Sequence, residues 1–421
     1  MKKLALIVLL TLLSTVAGAA ELNPPAQKAF DSAYELKKKG QFYDAIKFYE
    51  LAIRLAPEFQ GIWMEFVGCL RKANYLQRAA RAGWRALELG PPTADIWGNL
   101  GNVFDQAREW DAAMAAFKKA EALSDDKRWI AQKFLNLGYG EMVSGHEGLA
   151  LKTFQYALKV DPSHGLAMVD CGVAKASLGN IEEGVKEIKK GIAQIRKEHN
   201  NKPGQYGGIK YAQTALDIVE KDGKIKPSVD FRKEPFQRLP ERFLAQPPKG
   251  SALSLKIDDK VERSYQISPQ GILTITTPES WRERIVEKTY PVTEFKSSAT
   301  VYSPDNGERF EFLLTPYPTT KKISEVESIV KKIGQQRLKT SVEKKLDLIQ
   351  VKSPSANGYV YILTDKKLVG NKLKEGEYLH AIQGVIKSGN SWSYITVLTD
   401  NRAEKFVEEM LTIMKSISYR E

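Results

Sequence analysis

From Leu100 to Leu123 the chain reads LGNVFDQAREWDAAMAAFKKAEAL, two runs in which apolar residues return every three or four positions, joined at Arg108-Glu109-Trp110-Asp111. Ala113, Phe117 and Ala120 fall on one stripe of the second run. This pattern predicts two amphipathic helices with a tight turn between them. The arrangement recurs. Ala45, Ala79 and Ala113 are 34 residues apart, as are Ala52, Ala86 and Ala120, and Trp63 and Trp97 share the interval. One more step, lengthened by a small insertion around Lys127 to Ile130, reaches Ala150, Phe154 and Ala157.

Two antiparallel helices approach closely only where small residues meet, and aromatic side chains fill the space to the next pair. Each pair leaves an apolar face that only a neighbouring pair can bury, so the period predicts a stack. Gly40, Gly145 and Gly179 are placed to end first helices, and Pro57, Pro91 and Pro162 to end second ones. These residues resemble the tetratricopeptide repeat (TPR) family, in units at 26–59, 60–93, 94–127 and 131–164. A fifth unit from Gly165 is degenerate, with Gly184, Ile188 and Gly191 where the family has Ala, an aromatic and Ala. Tyr206 to Val219 reads as a closing helix, so residues 26–221 are expected to form one α-helical solenoid.

The resemblance implies a concave groove lined by first helices, suited to an extended peptide or a helix of a partner protein. Family geometry assigns Tyr34, Lys37, Met64, Arg71, Asn99, Asn102, Asn136 and Tyr139 as candidate partner-binding residues. Members that clamp a C-terminal carboxylate place Lys and Arg in the first helix of the third repeat. Here Asp95 and Asp105 stand in that helix, which argues against such a ligand.

The helical period stops at about Asp222. Pro227, Pro235, Pro240, Pro247 and Pro248 then interrupt any regular element, which reads as a Pro-rich linker over 222–263. Within it, FRKEPFQRLPERF mixes Phe231, Phe236 and Phe243 with Arg232, Arg238 and Arg242, either a partner-binding motif or rings packed along a domain surface. Residues 264–421 change to short alternating or apolar runs: GILTITT, SSATVYS, FEFLLTP, LDLIQV, YVYILT, YLHAIQGVIK and SWSYITVLT. These predict strands, with SGNS as a hairpin turn. Two helices follow from capping boxes at Ser324 with Glu327 and Asn401 with Glu404. The order implies a separate α+β domain, an antiparallel sheet packed with helices. It resembles the PsbP-like α/β/α fold, in which an early strand leads to a Pro and then a Trp, here Thr277-Pro278-Glu279-Ser280-Trp281. That resemblance implies a non-catalytic accessory domain.

At 43% hydrophobic and 27% charged residues the 421-residue chain has the composition of globular domains. Residues 1–20 carry Lys2 and Lys3, an apolar run from Leu4 to about Val16 and then Ala17-Gly18-Ala19, the form of a signal peptide cleaved near Ala19 or Ala20. The run is shorter than the roughly 20 residues of a bilayer span, and no later stretch reaches that length. The mature chain is therefore expected in the periplasm or secreted, without a transmembrane span. An oxidising compartment permits disulfides, yet Cys69 and Cys171 stand three repeats apart, which predicts two buried free thiols.

Net charge is +12; residues 21–222 hold 28 Lys+Arg against 26 Asp+Glu, and residues 223–421 hold 33 against 25. This basic excess is spread without a dense run, so it predicts a solvated surface rather than a nucleic-acid site. His146, His164, His199 and His380 lack metal-ligand spacing, and the glycines of Gly138 to Gly148 fall at repeat contacts and turns rather than in a phosphate loop. No cofactor, metal or catalytic residue is assigned. The function expected is an exported, non-catalytic interaction scaffold. One alternative is a small-ligand or hydrolytic second domain, with His380 beside a carboxylate in a deep pocket. Another is peripheral attachment to an anionic envelope surface through the basic half.

Overall fold

The computed structural model describes residues 22–198, 207–223, 236–267, 271–289, 296–304, 308–319 and 322–420. The expected signal segment lies outside them, as do Phe231 and Arg232. Among the described residues, helices α1 (Pro24–Lys38) and α2 (Phe42–Leu55) pair, as do α3 (Gln60–Lys72) with α4 (Leu76–Leu89) and α5 (Ala94–Gln106) with α6 (Trp110–Glu121). The stack continues through α7 (Lys127–Val143) with α8 (Glu147–Val160) and α9 (Gly165–Ser177) with α10 (Ile181–Glu198), and α11 (Gly207–Asp222) closes it against α9 and α10.

The alanines that set the period do what close packing requires. Ala45, Ala79, Ala113 and Ala150 on second helices, and Ala52, Ala86, Ala120 and Ala157 one face further on, are all at 0% exposure. A Cβ on Gly101 would overlap the Phe117 ring, and one on Gly138 would sit 2.5 Å from the Phe154 ring, so these glycines are the sockets for the aromatic knobs of their own repeats. The insertion before Ala131 extends α7 to 17 residues against 13 for α3 and α5, adding one helical turn without disturbing the stack. Polar side chains start several of these helices: Asn23 accepts from the Ala26 amide, Thr93 from Ile96 and Asp126 from Trp129.

The fifth unit is a complete helix pair. Lacking an aromatic filler, it closes the gap by bringing backbones together: a Cβ on Gly172 would lie 2.6 Å from the Gly184 carbonyl oxygen, and one on Gly191 2.8 Å from that of Gly165. Cys69 and Cys171 are buried free thiols on α3 and α9. Burial pushes the Cys69 thiol up to about 12 and that of Cys171 to about 11, so neither is ionised at neutral pH.

The segment expected as a linker is a packed strap where it is described. Leu239, Phe243 and Ala252 are buried in the same apolar cluster as the repeats. Trp84 on α4 donates its indole N–H to the Phe243 carbonyl at 3.0 Å, and Glu88 accepts from the Ala252 amide at 2.8 Å. Prolines break regular structure here without loosening the chain, because the apolar side chains between them find a helix to cover. Phe236 and Phe243 are therefore packing residues rather than a partner-binding motif.

The second domain holds two antiparallel sheets where the strand pattern suggested one. Its strands are β1 (Phe236–Gln237), β2 (Lys260–Gln266), β3 (Ile272–Pro278), β4 (Arg282–Thr289), β5 (Lys296–Ser303) and β6 (Phe310–Pro318). Four more follow, β7 (Ile349–Lys352), β8 (Asn357–Thr364), β9 (His380–Ser388) and β10 (Ser391–Thr399), and β11 (Ser418–Arg420) ends the set. The orders are β1-β2-β3-β11 and β4-β5-β6-β10-β9-β8-β7. The smaller sheet begins inside the stretch expected as linker. Helix α12 (Ile323–Leu338) covers one face of the larger sheet through Val326 and Val330 against Tyr361, Leu363, Val385 and Trp392. Helix α13 (Glu404–Lys415) and the smaller sheet share a core with the other face, built on Phe406, Met410, Phe312 and Ile395. Both helices start a residue or more from their expected caps: the Lys322 amide donates to the Glu325 carboxylate, and Asn401 accepts from the Ala403 amide. Trp281 of the TPESW motif is buried against Tyr302, Phe310 and Phe312.

Candidate functional site: the repeat groove and its edge

First helices α1, α3, α5, α7 and α9 stand side by side, so side chains at equivalent positions repeat across one face. Tyr34 is exposed on α1, stacked on Phe30 with the Lys38 ammonium 4.4 Å above its ring. Lys37 is held by Glu65 of the next repeat at 2.5 Å. Met64 is half-buried against the apolar core. Arg71 donates to the Gln106 amide oxygen at 3.0 Å, and burial holds its guanidinium below the usual arginine range while Asp105 opposes that shift.

Asn99 and Asn102 stand half-buried on α5 with no hydrogen-bond partner among the described residues. On α7, Asn136 is exposed and accepts from Gln132 at 2.8 Å, and Tyr139 is 46% exposed. Of the eight residues singled out by sequence, then, Lys37, Arg71 and Asn136 are already engaged within the protein. The two free amides and the two exposed tyrosines are the groups turned outward for a partner.

Sequence reasoning missed the groups that tie this face to the second domain. Gln106 donates to Asn74 at 3.0 Å, Asn74 donates to Glu283 at 2.5 Å, and Glu283 pairs with the buried Arg263 at 2.8 Å. The chain of contacts thus runs from groove residue Arg71 into the second domain. Nearby, Arg238 pairs with Glu109 at 3.1 Å, Tyr75 reaches the Ser280 carbonyl, and the Arg282 guanidinium lies 4.5 Å over the Tyr43 ring.

Burial lifts four carboxyls to about 7: Asp105 and Glu141 beside the groove, Asp170 under Tyr211, and Glu279 at the domain junction. Each has a folded value above its unfolded value of about 4, so its contribution is fully present below about pH 4 and is lost as pH rises through about 7. Glu343 runs the other way, held near 2 by bonds from Ser341 and Thr364, and loses its contribution only in strong acid. His164 and His380 are pulled below the usual histidine value, chiefly by burial, and matter only below about pH 6.5. These four carboxyls are therefore expected to lower thermal stability as pH rises from about 4 to about 7, with little further change above about pH 8. Glu141→Gln should remove about 1 kcal/mol of that dependence; an unchanged slope in the variant would show that Glu141 is ionised in the folded protein.

In the second domain His380 lies 3.0 Å from the Thr364 hydroxyl, which also bonds Glu343 and Arg402 at 2.9 Å each. These groups satisfy one another. A concavity of about 290 Å³ close by is lined by Glu308, Arg309, Phe310, Asp400, Asn401 and Phe406, and His380 and Thr364 are not among its walls.

Residues 30–59 match the tetratricopeptide repeat family model. The helical repeat region is similar to TPR solenoids. Tetratricopeptide repeat protein 8 of Caenorhabditis elegans is 27% identical over 154 residues, covering 34% of this chain and 28% of that protein. NADPH oxidase activator 1 of Rattus norvegicus is 29% identical over 125 residues, covering 28% of this chain and 26% of that protein. The chain thus spans little more than a quarter of the length of these curated relatives. Among solved structures, that of the MamA protein is 20% identical with a TM-score of 0.36, covering 43% of this chain and 98% of that one. YrrB, a TPR protein with an unusual peptide-binding site, is 19% identical with a TM-score of 0.33, covering 44% and 90%. No described helix is long and apolar enough to cross a membrane.

Proposed function

We propose that this protein is an exported, non-catalytic interaction scaffold whose TPR groove takes an extended segment of a partner protein. The observation that carries this reading is the pair Asn99 and Asn102, amides on the groove helix of the third repeat with no partner among the described residues. Amide side chains bond both the N–H and the C=O of an extended chain, and they do so without regard to its side chains. Tyr34 and Tyr139 on either side supply large contact area at low entropic cost. Residues 1–20 supply the export address, and neither nucleic acid nor a cofactor belongs to this reading.

The test is affinity capture with the purified chain, comparing wild type, Asn99→Ala with Asn102→Ala, and Lys47→Ala on the outer face of α2. Partner recovery is expected to drop about tenfold in the double variant, as two lost hydrogen bonds at about 0.7 kcal/mol each imply, and to persist in Lys47→Ala. Equal recovery from all three would sink the groove reading. N-terminal sequencing of the mature protein, expected to begin near Ala20 or Glu21, checks export separately.

A further inference from the structure

Every helix pair from α1 to α10 turns on a left-handed residue two positions beyond its first helix. These are Gly40 (φ +75°), Asn74 (+62°), Arg108 (+58°), Gly145 (+81°) and Gly179 (+94°). Glycine enters that region freely, asparagine less so, and arginine has no local hydrogen bond to ease it. Asn74 and Arg108 are also the non-glycine residues with positive φ among the described residues. The second and third repeats therefore depart from the glycine that their neighbours use at the same place.

Both departures touch the second domain. Asn74 donates its amide to Glu283 at 2.5 Å while accepting from Gln106 at 3.0 Å, so it is fixed from both sides. The Arg108 guanidinium lies 3.9 Å over the Phe236 ring and bonds the Gln266 amide oxygen. Adjacent residues extend the same edge, Tyr75 to Ser280 and Glu109 to Arg238. The glycine turns of the first, fourth and fifth repeats have no side chain to offer such a contact.

We propose that Asn74 and Arg108 make the turn edge of the second and third repeats a dedicated docking surface for this chain's own C-terminal domain. A side chain at the tip of the turn reaches beyond the helix ends, where glycine presents only backbone; the less comfortable conformation is the condition for that reach. Docking there fixes the second domain relative to the groove through the contacts from Arg71 to Arg263. This inference is independent of whether the groove binds a peptide.

Hydrogen exchange by mass spectrometry on the full chain tests it. Asn74→Gly with Arg108→Gly removes both side chains while giving each turn the residue that suits its backbone best. Exchange in residues 236–237, 263–266 and 279–283, the segments these two side chains and their neighbours contact, is expected to accelerate at least tenfold, with α5 and α6 unchanged and the melting temperature of the repeats not lowered. Wild-type protection of 236–237, 263–266 and the 279–283 turn would overturn the proposal, as would parallel loss of protection in α5 and α6. Asn74→Asp is the second variant: it tolerates the same backbone but sets a carboxylate against Glu283. It too is expected to speed exchange at 279–283, and wild-type behaviour there would equally overturn the proposal.

Discussion

A Gly172→Val variant is expected to melt roughly 6–12 °C below wild type, a loss of about 3 kcal/mol for a repeat region of this size. The first added atom would stand 2.6 Å from the Gly184 carbonyl oxygen and 2.9 Å from the Ile188 backbone nitrogen. Neither neighbour is a flexible side-chain end, so relief requires α9 and α10 to move apart. Moving them opens the contacts of Ile188, Ile192 and Ile195, which carry the core of this pair. Because repeats stabilise one another through their interfaces, the damage spreads to α11 and the fourth repeat. Thermal unfolding followed by far-UV circular dichroism reads the effect. A melting temperature within about 2 °C of wild type would mean that the two backbones are not in contact.

The second large effect belongs to Arg263, at 1% exposure the largest buried cation described in the second domain. Its guanidinium donates to Thr277 Oγ1 at 2.8 Å, to Glu283 at 2.8 Å and to the Trp281 carbonyl at 3.2 Å. The ring of Tyr302 lies 5.3 Å away. Arg263→Ala removes the cation paired with Glu283, which keeps its Asn74 contact, and takes a donor from the carbonyls of Glu279 and Trp281; breaking a buried pair in this way costs about 3–5 kcal/mol. Arg263→Lys should recover little, since an ammonium cannot serve divergent acceptors as a planar fork does. Denaturant unfolding of both variants tests this. A lysine variant unfolding at the wild-type midpoint would show that charge alone, not the fork, is what the site needs.

Much of the helical half was legible in the sequence because its information is local. Ala113, Phe117 and Ala120 announce a buried stripe within eight residues, and the 34-residue return of alanine announces a stack. Even the insertion at Lys127 to Ile130 was visible as a phase shift, though only the structure turned it into an extra helical turn. The strands β3, β5, β6 and β8 to β10 were equally readable from their apolar runs. Strands β2 and β4 were not: KVERSYQ and RERIVEKT are rich in charge, and they owe their strand state to the partners they pair with.

The groove residues divide on the same principle. Position in the repeat assigned Asn99, Asn102, Tyr34 and Tyr139 to one face, but whether a side chain is free for a partner depends on what stands opposite it. Lys37 meets Glu65 and Arg71 meets Gln106, pairings between repeats that periodicity alone does not price. The strap over 236–258 was hidden by its prolines, whose effect on local structure says nothing about whether the phenylalanines between them find a surface.

By itself the sequence determined that this protein is a helical repeat stack followed by a strand-rich domain, since hydrophobic period and small-residue spacing act within one or two turns of chain. Only the tertiary structure decided how the halves are joined. Asn74 meets Glu283 across 209 residues and Trp84 meets Phe243 across 159, and nothing in a charged or aromatic residue's immediate neighbourhood encodes a partner that far away.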